Sequence, residues 1–204
     1  MAFETLHYMK HHQNGSSGYM TLKLDMSKAY DRIEWIYLEF LMKRIGFDDR
    51  WVALVMEWIT TISYSILING EPSQVIQPSG GIRQGDLLSP YLFLLCTEGL
   101  HSLMCQASEF GQIWGVSICK KGPRLTHLFF ANNSLVFYKS SLFECHKIQD
   151  LHIYYEGALS LQLNQSKNSL FFCKATPLEM INQIKILLGW KRSSNMKSTL
   201  DYQL

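Results

Sequence analysis

The 204-residue chain has little of what marks secreted, membrane-spanning or strongly basic proteins. Its N-terminus, Met-Ala-Phe-Glu-Thr-Leu-His, contains an acidic residue and lacks the apolar stretch of a signal peptide. No apolar run approaches the ~18 residues that a membrane helix needs. The 19 basic residues nearly balance the 17 acidic ones, for a net charge of +2. We therefore expect a soluble intracellular protein, in which any contact with nucleic acid depends on a local basic groove.

Cysteines are few and follow no pattern. None of the five forms a C-x-x-C pair, and they stand at Cys96, Cys105, Cys119, Cys145 and Cys173. An odd, scattered set favours reduced, buried thiols over a disulfide framework. The adjacent Cys145 and His146 lack a second ligand pair, so the sequence predicts no metal site there.

Apolar residues are abundant, at 47% of the chain with 13% aromatic, which is enough for a sizeable core. Helical spacing and strand-like alternation succeed each other along the sequence. Helices are predicted at 2–12, 31–45, 49–62, 89–108, 142–159 and 178–188, and strands at 19–25, 114–119, 125–130, 134–138 and 169–173. This mixture, with two hairpins, predicts an α+β fold in which helices pack on one face of an antiparallel sheet.

Turn-forming residues add local predictions. Asn-Gly-Glu-Pro at 69–72 stands between two apolar segments and predicts a hairpin turn. Ser89 is predicted to cap a helix that has Pro90 in its first position. The pair Asn132-Asn133 lies between apolar runs, where a tight turn is expected.

Four segments carry the residues most suited to chemistry. Residues 22–35 read LKLDMSKAYDRIEW, an apolar strand that ends at an aspartate. Residues 81–93 read GIRQGDLLSPYLF, a glycine-bounded turn that leads into a helix. Residues 127–137 read HLFFANNSLVF, and residues 159–169 read LSLQLNQSKNS.

In this order, the four segments resemble motifs A, B, C and D of the reverse transcriptases of non-LTR retroelements, most of all plant LINE-type elements. The resemblance covers residues 2–175, and its first two motifs are highly specific. It implies a reverse-transcriptase palm at 19–175, with the fingers and thumb truncated. Residues 1–18 would be a helix and loop left from the fingers, and residues 176–204 a helix and divergent tail. It also implies an ancestral RNA-directed DNA polymerase that used an RNA template, a DNA primer and deoxynucleotide triphosphates in the nucleus.

The resemblance assigns roles to individual positions. Asp25 would bind both catalytic Mg²⁺ ions, with the backbone carbonyl of Met26 as a further ligand, unless Asp25 only caps its strand. Tyr30 matches the position that excludes a ribose 2′-hydroxyl. Lys167 would lie near the pyrophosphate leaving group, or would be an ordinary exposed lysine. The templating base and incoming nucleotide would lie against Arg83, Gln84 and Gly85.

Motif C departs from the pattern of active relatives. Their hairpin reads Phe-Ala-Asp-Asp, and this chain has Asn132 and Asn133 at the positions of the two catalytic aspartates. An asparagine amide offers one neutral oxygen and an NH₂ group that repels cations. Asp25 would then be the one acidic ligand left, and Mg²⁺ would not bind productively. The sequence predicts a foldable palm that has lost polymerase activity.

Two other interpretations stay open. The chain could be a non-catalytic nucleic-acid-binding module that keeps the palm surface, with phosphate contacts from Lys23, Lys28, Arg32, Arg83, Lys120, Lys121 and Arg124. It could also be an active enzyme that tolerates asparagines, with manganese as its metal. The sequence indicates no membrane contact and identifies no protein partner.

Overall fold

The computed structural model describes residues 2–11, 18–25, 30–119, 122–130, 133–159 and 168–189. Their helices are α1 (Ala2–His11), α2 (Trp35–Ile45), α3 (Asp49–Thr60), α4 (Ser89–Glu109), α5 (Leu142–Leu159) and α6 (Leu178–Leu187). Their strands are β1 (Tyr19–Asp25), β2 (Leu67–Ile68), β3 (Glu71–Pro72), β4 (His127–Phe130), β5 (Asn133–Lys139) and β6 (Ser169–Phe172). Within these ranges, no helix is both long and apolar enough to cross a bilayer.

The main sheet has four strands in the order β4-β5-β1-β6, and every pairing is antiparallel. β1 pairs with β5 along its whole length, from Tyr19 opposite Lys139 to Asp25 opposite Asn133. β4 and β5 form a hairpin at one edge. The predicted α+β class and antiparallel sheet are confirmed.

Alternation along β1 explains why the sheet has a strongly apolar face. Met20, Leu22 and Leu24 are almost inaccessible to solvent, and paired residues of antiparallel strands share a face. Their partners Val136 and Tyr138 on β5 are buried with them. On this side of the sheet, His101 of α4 contacts His127 of β4, and Cys145 of α5 lies near the hydroxyl of Tyr138.

The helix α1 covers part of the opposite face. Leu6 and Met9 lie at helical spacing and pack with Phe137 of β5 and Val116. The hydroxyl of Thr21 on β1 lies 3.2 Å from the sulfur of Met9. The prediction of helices on one face therefore describes α4 and α5, and α1 is an addition on the other side.

The chain divides into two compact units. The first contains residues 1–26, 100–154 and 163–204, and it holds the main sheet and α1. The second contains residues 27–99 and 155–162, and it holds α2, α3 and the β2–β3 hairpin. The predicted division of the sequence at residues 18 and 175 stays a prediction.

The second unit begins differently from the sequence prediction. A 3-10 helix spans Tyr30–Arg32, and α2 starts only at Trp35, although a helix is predicted from residue 31. The backbone carbonyls of Tyr30 and Ile33 accept hydrogen bonds from the N–H groups of residues 82 and 81. These bonds keep the segment from continuing as a helix. α2 then ends at Gly46, as predicted, with a left-handed φ of 101°.

The hairpin of the second unit turns at Asn69-Gly70. Both residues have positive φ, 54° and 89°, as a two-residue turn of type I′ requires. Leu67 therefore pairs with Pro72, and Glu71 is part of β3. The prediction that placed Glu71 and Pro72 in the turn is wrong, because the Asn-Gly pair completes the turn alone.

The start of α4 also differs. Ser89 is the first helical residue, and its buried hydroxyl has no hydrogen-bond partner among the described residues. Asp86 instead accepts a hydrogen bond from the Leu88 N–H at 3.1 Å, while the Leu88 carbonyl accepts from Leu92. The predicted cap at Ser89 is wrong, and the turn before the helix is closed by Asp86.

Candidate functional site

Two strand ends of the first unit bring motifs A and C together. Asp25 is the last residue of β1, and its partner across the ladder is Asn133, the first residue of β5. Asn133 also pairs with Phe130 of β4, so it belongs to a strand rather than to the predicted turn. Opposed residues of antiparallel strands have Cα atoms about 5 Å apart. Asn132 and Met26 lie outside the described residues.

The donor set at this point does not fit a pair of divalent cations. Metal pairs that catalyse phosphoryl transfer are held by anionic oxygens on both ions. Asp25 supplies one carboxylate, while Asn133 supplies a neutral amide whose nitrogen repels a cation. The residues that motifs A and C contribute therefore lack the charge that such a centre requires.

The second unit holds its own group of candidate residues, where the backbone of motif B is hydrogen-bonded to the end of motif A. The Gly81 N–H donates to the Ile33 carbonyl at 2.8 Å, and the Ile82 N–H donates to the Tyr30 carbonyl at 2.7 Å. The indole N–H of Trp35 donates to the Gly81 carbonyl at 2.7 Å. These three bonds fix the position of residues 81–82 against the 3-10 helix.

Only glycine suits position 81. Its φ is 84°, in the left-handed region. A Cβ atom there would lie 2.9 Å from the backbone oxygen of Asp31. The first glycine of the GIRQGD motif therefore permits the close approach of two backbones.

Tyr30 is held by stacking. Its ring lies on that of Phe93 in α4, with centroids 4.9 Å apart and planes inclined by 14°. Burial raises the pKa of Tyr30 above its usual value. Because Phe93 is itself buried, the tyrosine ring has a rigid support. The structure therefore constrains the residue for which a steric-gate role is predicted.

Residues 83–85 lie on the surface beside Tyr30. Arg83, Gln84 and Gly85 are exposed, and Gly85 has a φ of 93°. Arg83 and Gln84 line an open pocket of about 470 Å³. The second unit thus contains the four residues predicted to contact nucleotide and template, of which Arg83 and Gln84 line the pocket, while Lys167 lies outside the described residues.

The basic residues of the alternative interpretation are only partly described. Lys23 lies in β1, whereas Lys28, Lys120 and Lys121 fall outside the described residues. The guanidinium of Arg124 lies 4.5 Å from the ring centre of Trp114, and the ammonium of Lys139 lies 4.7 Å from it. These two cations contact the same aromatic ring.

Two buried ionisable side chains support the first unit. Glu144 accepts hydrogen bonds from the N–H groups of Trp114 and Lys139, and burial raises its pKa. His152 is almost fully buried, its Nε2 has no partner among the described residues, and burial lowers its pKa to about 4. Both are structural residues of α5.

Sequence reasoning missed one cluster of metal-binding side chains. His101 and Cys105 of α4 and His127 of β4 have ring nitrogens and a thiol within 4.8 Å of one another. A histidine and a cysteine four residues apart in a predicted helix share one face, and this spacing was the available signal. The proximity of His127 depends on tertiary packing.

Comparison with known proteins gives a consistent picture. Residues 1–196 match the family described as reverse transcriptase (RNA-dependent DNA polymerase). An uncharacterized mitochondrial protein of Arabidopsis thaliana is 48% identical over 68 residues, which are 33% of this chain and 56% of that protein. The Pol polyprotein of the type-2 retrotransposable element R2DM of Drosophila melanogaster is 25% identical over 187 residues, 92% of this chain and 17% of the polyprotein.

Among solved structures, apo telomerase from Candida tropicalis, truncated from its C-terminal domain, has the same fold. The TM-score is 0.61 at 15% identity, over 86% of this chain and 35% of the telomerase chain. At this identity the likeness concerns the fold alone. The chain spans less than two thirds of the length of each of these proteins.

Proposed function

Because this chain belongs to the reverse transcriptase (RNA-dependent DNA polymerase) family, we propose that it is a non-LTR retroelement palm that no longer synthesises DNA. The observation that carries the proposal is the pairing of Asp25 with Asn133 at the ends of β1 and β5. The ancestral protein would have extended a DNA primer on an RNA template from deoxynucleotide triphosphates. In this proposal the palm spans residues 19–175.

Missing negative charge in motif C explains the proposed loss of DNA synthesis. Active relatives would hold Mg²⁺ with the Asp25 carboxylate and two motif C carboxylates, and this chain has Asn132 and Asn133 instead. Each missing negative charge removes on the order of 4 kcal/mol of attraction per unit of cation charge at about 4 Å and an effective dielectric of 20. A barrier higher by about 4 kcal/mol slows a reaction roughly a thousandfold. The loss of two such charges is enough to abolish catalysis at this site.

The nucleotide side of the site supports an ancestral polymerase. Tyr30 keeps its stacked position on Phe93, and Gly81 keeps the backbone approach that joins motif B to motif A. Arg83 and Gln84 remain exposed beside an open pocket. Lys167 is proposed to have assisted the leaving pyrophosphate. The proposal thus locates the damage in motif C.

Primer extension on an RNA template tests this proposal. The unmodified chain, first in Mg²⁺ and then in Mn²⁺, is compared with the Asn132→Asp/Asn133→Asp double variant. We expect extension only by the double variant, and the added change Asp25→Asn should abolish it. The variant Asn182→Asp/Gln183→Glu adds the same two charges at exposed positions of α6 and should stay inactive.

Extension by the unmodified chain would contradict the proposal and would favour the manganese-dependent enzyme. If neither chain extends a primer, calorimetry with Mg²⁺ separates the remaining cases. Binding gained by the double variant alone supports the loss of charge as the cause. Stoichiometric Mg²⁺ binding by the unmodified chain that disappears in Asp25→Asn would refute it.

A non-catalytic nucleic-acid-binding module is the second candidate. The engagement of Arg124 with Trp114 gives it less support than the strand pairing gives the first. Binding of an RNA–DNA duplex with a steep dependence on salt would favour it, because released counterions accompany each phosphate contact. Absent or salt-insensitive binding would exclude it.

A further inference from the structure

Two histidines and a cysteine meet on the face of the sheet that α4 covers. The Nδ1 atom of His101 lies 2.7 Å from the Nε2 atom of His127. The Cys105 sulfur lies 3.5 Å from Nε2 and 3.9 Å from Nδ1 of His101. His101 and Cys105 are one helical turn apart, so both side chains project from the same face of α4. His127 is the first residue of β4, at the opposite end of that strand from the side that leads to the asparagines of motif C.

These distances are close to those of a tetrahedral metal centre. With metal–nitrogen bonds of about 2.05 Å and metal–sulfur bonds of about 2.3 Å, ligand nitrogens lie about 3.3 Å apart and a nitrogen and a sulfur about 3.6 Å. The sulfur lies 3.9 Å from Nδ1 of His101, the nitrogen that faces His127, which is about 0.3 Å beyond this separation. The two rings would need to separate by about 0.6 Å from their 2.7 Å contact, a small side-chain movement.

The surroundings of His127 orient its ring as a metal ligand requires. Its Nδ1 atom lies 2.9 Å from the hydroxyl of Thr126, a residue that is 8% exposed. When the Nδ1–H donates to this hydroxyl, Nε2 presents its lone pair toward His101. The ring also packs on Phe129, with centroids 4.6 Å apart, which limits its rotation.

We propose that His101, Cys105 and His127 bind a divalent transition metal of borderline softness, such as Zn²⁺. Imidazole and thiolate are the ligands that Zn²⁺ prefers, whereas Mg²⁺ prefers oxygen. Three protein ligands leave a fourth position for water. His101 is exposed and Cys105 half-buried, so the ion reaches the site from solvent. This site uses none of the residues of motifs A to D that are proposed to contact metal or nucleotide.

Cobalt substitution tests the site without any reference to polymerase activity. The reduced, metal-free full chain is titrated with Co²⁺, and we expect one equivalent to produce tetrahedral d–d bands and a thiolate-to-cobalt charge-transfer band. One equivalent of Zn²⁺ should displace the cobalt, and millimolar Mg²⁺ should not. Cys105→Ser should abolish the charge-transfer band, and His101→Ala should weaken binding at least tenfold.

Matched variants keep the test decisive. Cys119→Ser and His146→Ala remove an exposed cysteine and an exposed histidine outside the cluster, and both should bind Co²⁺ as the unmodified chain does. His101 is exposed, so its alanine variant should retain the unmodified circular dichroism spectrum. A charge-transfer band that survives Cys105→Ser, or a folded chain that binds neither ion at 100-fold excess, would overturn the proposal.

Discussion

His152 makes the stability of the first unit depend on pH, and the substitution His152→Leu should remove that dependence. The side chain lies in α5, 7% exposed, and its Nε2 atom has no hydrogen-bond partner among the described residues. Burial without a partner penalises the charged imidazolium, which is why the pKa of His152 falls to about 4. Leucine has a similar volume and no polar atom to leave unsatisfied.

The magnitude follows from the two pKa values. The usual pKa of histidine is about 6.5, and the folded-state value is about 4. Between these values the unfolded chain binds a proton at His152 that the folded chain does not, so stability falls as the pH falls. The slope approaches about 1.4 kcal/mol per pH unit, and from pH 7 to pH 5 this residue should cost about 1.8 kcal/mol.

Urea unfolding at pH 7 and at pH 5 measures the effect. The unmodified chain should lose about 1.8 kcal/mol more than His152→Leu over this interval, because every other titrating group is common to both. His146→Leu, the same substitution at an exposed position of the same helix, is the matched control. Equal pH dependence in the unmodified chain and His152→Leu would refute the reasoning.

Three glycine substitutions should differ in their effect on the free energy of unfolding. Gly81→Ala should destabilise more than Gly85→Ala: both residues have positive φ, but only at position 81 would the new Cβ meet the Asp31 backbone. We expect a difference of at least about 1 kcal/mol by urea denaturation, and equal losses would contradict the contact. Gly157→Ala in α5 should stabilise by about 0.5–1 kcal/mol, because its Cβ would meet no atom within 4 Å. A lower midpoint of thermal unfolding would count against it.

Local patterns predicted much of the fold. The boundaries of β1 (Tyr19–Asp25) and α5 (Leu142–Leu159) match the prediction at both ends, and the break at Gly46 is correct. One error arose where a contact distant in sequence determines the local structure. The 3-10 helix at Tyr30–Arg32 depends on hydrogen bonds to residues about 50 positions later, which no local pattern records.

In the candidate site, too, local motifs were predicted from the sequence, whereas contacts made by tertiary packing were not. Motif spacing singled out Asp25 and the asparagines of motif C, and the structure pairs Asp25 with Asn133 across the strands, which no sequence pattern had predicted. The cluster of His101, Cys105 and His127 escaped notice, because the helix–strand contact that joins it is tertiary. Local propensity also could not show that Asp86 closes the turn before α4 in place of the helix's own first serine.

The ladder between β1 and β5 has an evolutionary consequence. Six further residue pairs, from Tyr19–Lys139 to Leu24–Ser134, fix the register of the two strands. The strand pairing at position 133 therefore does not depend on which side chain that residue carries. Codons for aspartate and asparagine differ by one base. Negative charge at this strand end can therefore be lost, or regained, by neutral drift without passing through an unfolded intermediate. The ladder would therefore keep position 133 opposite Asp25 whichever of the two residues it carries.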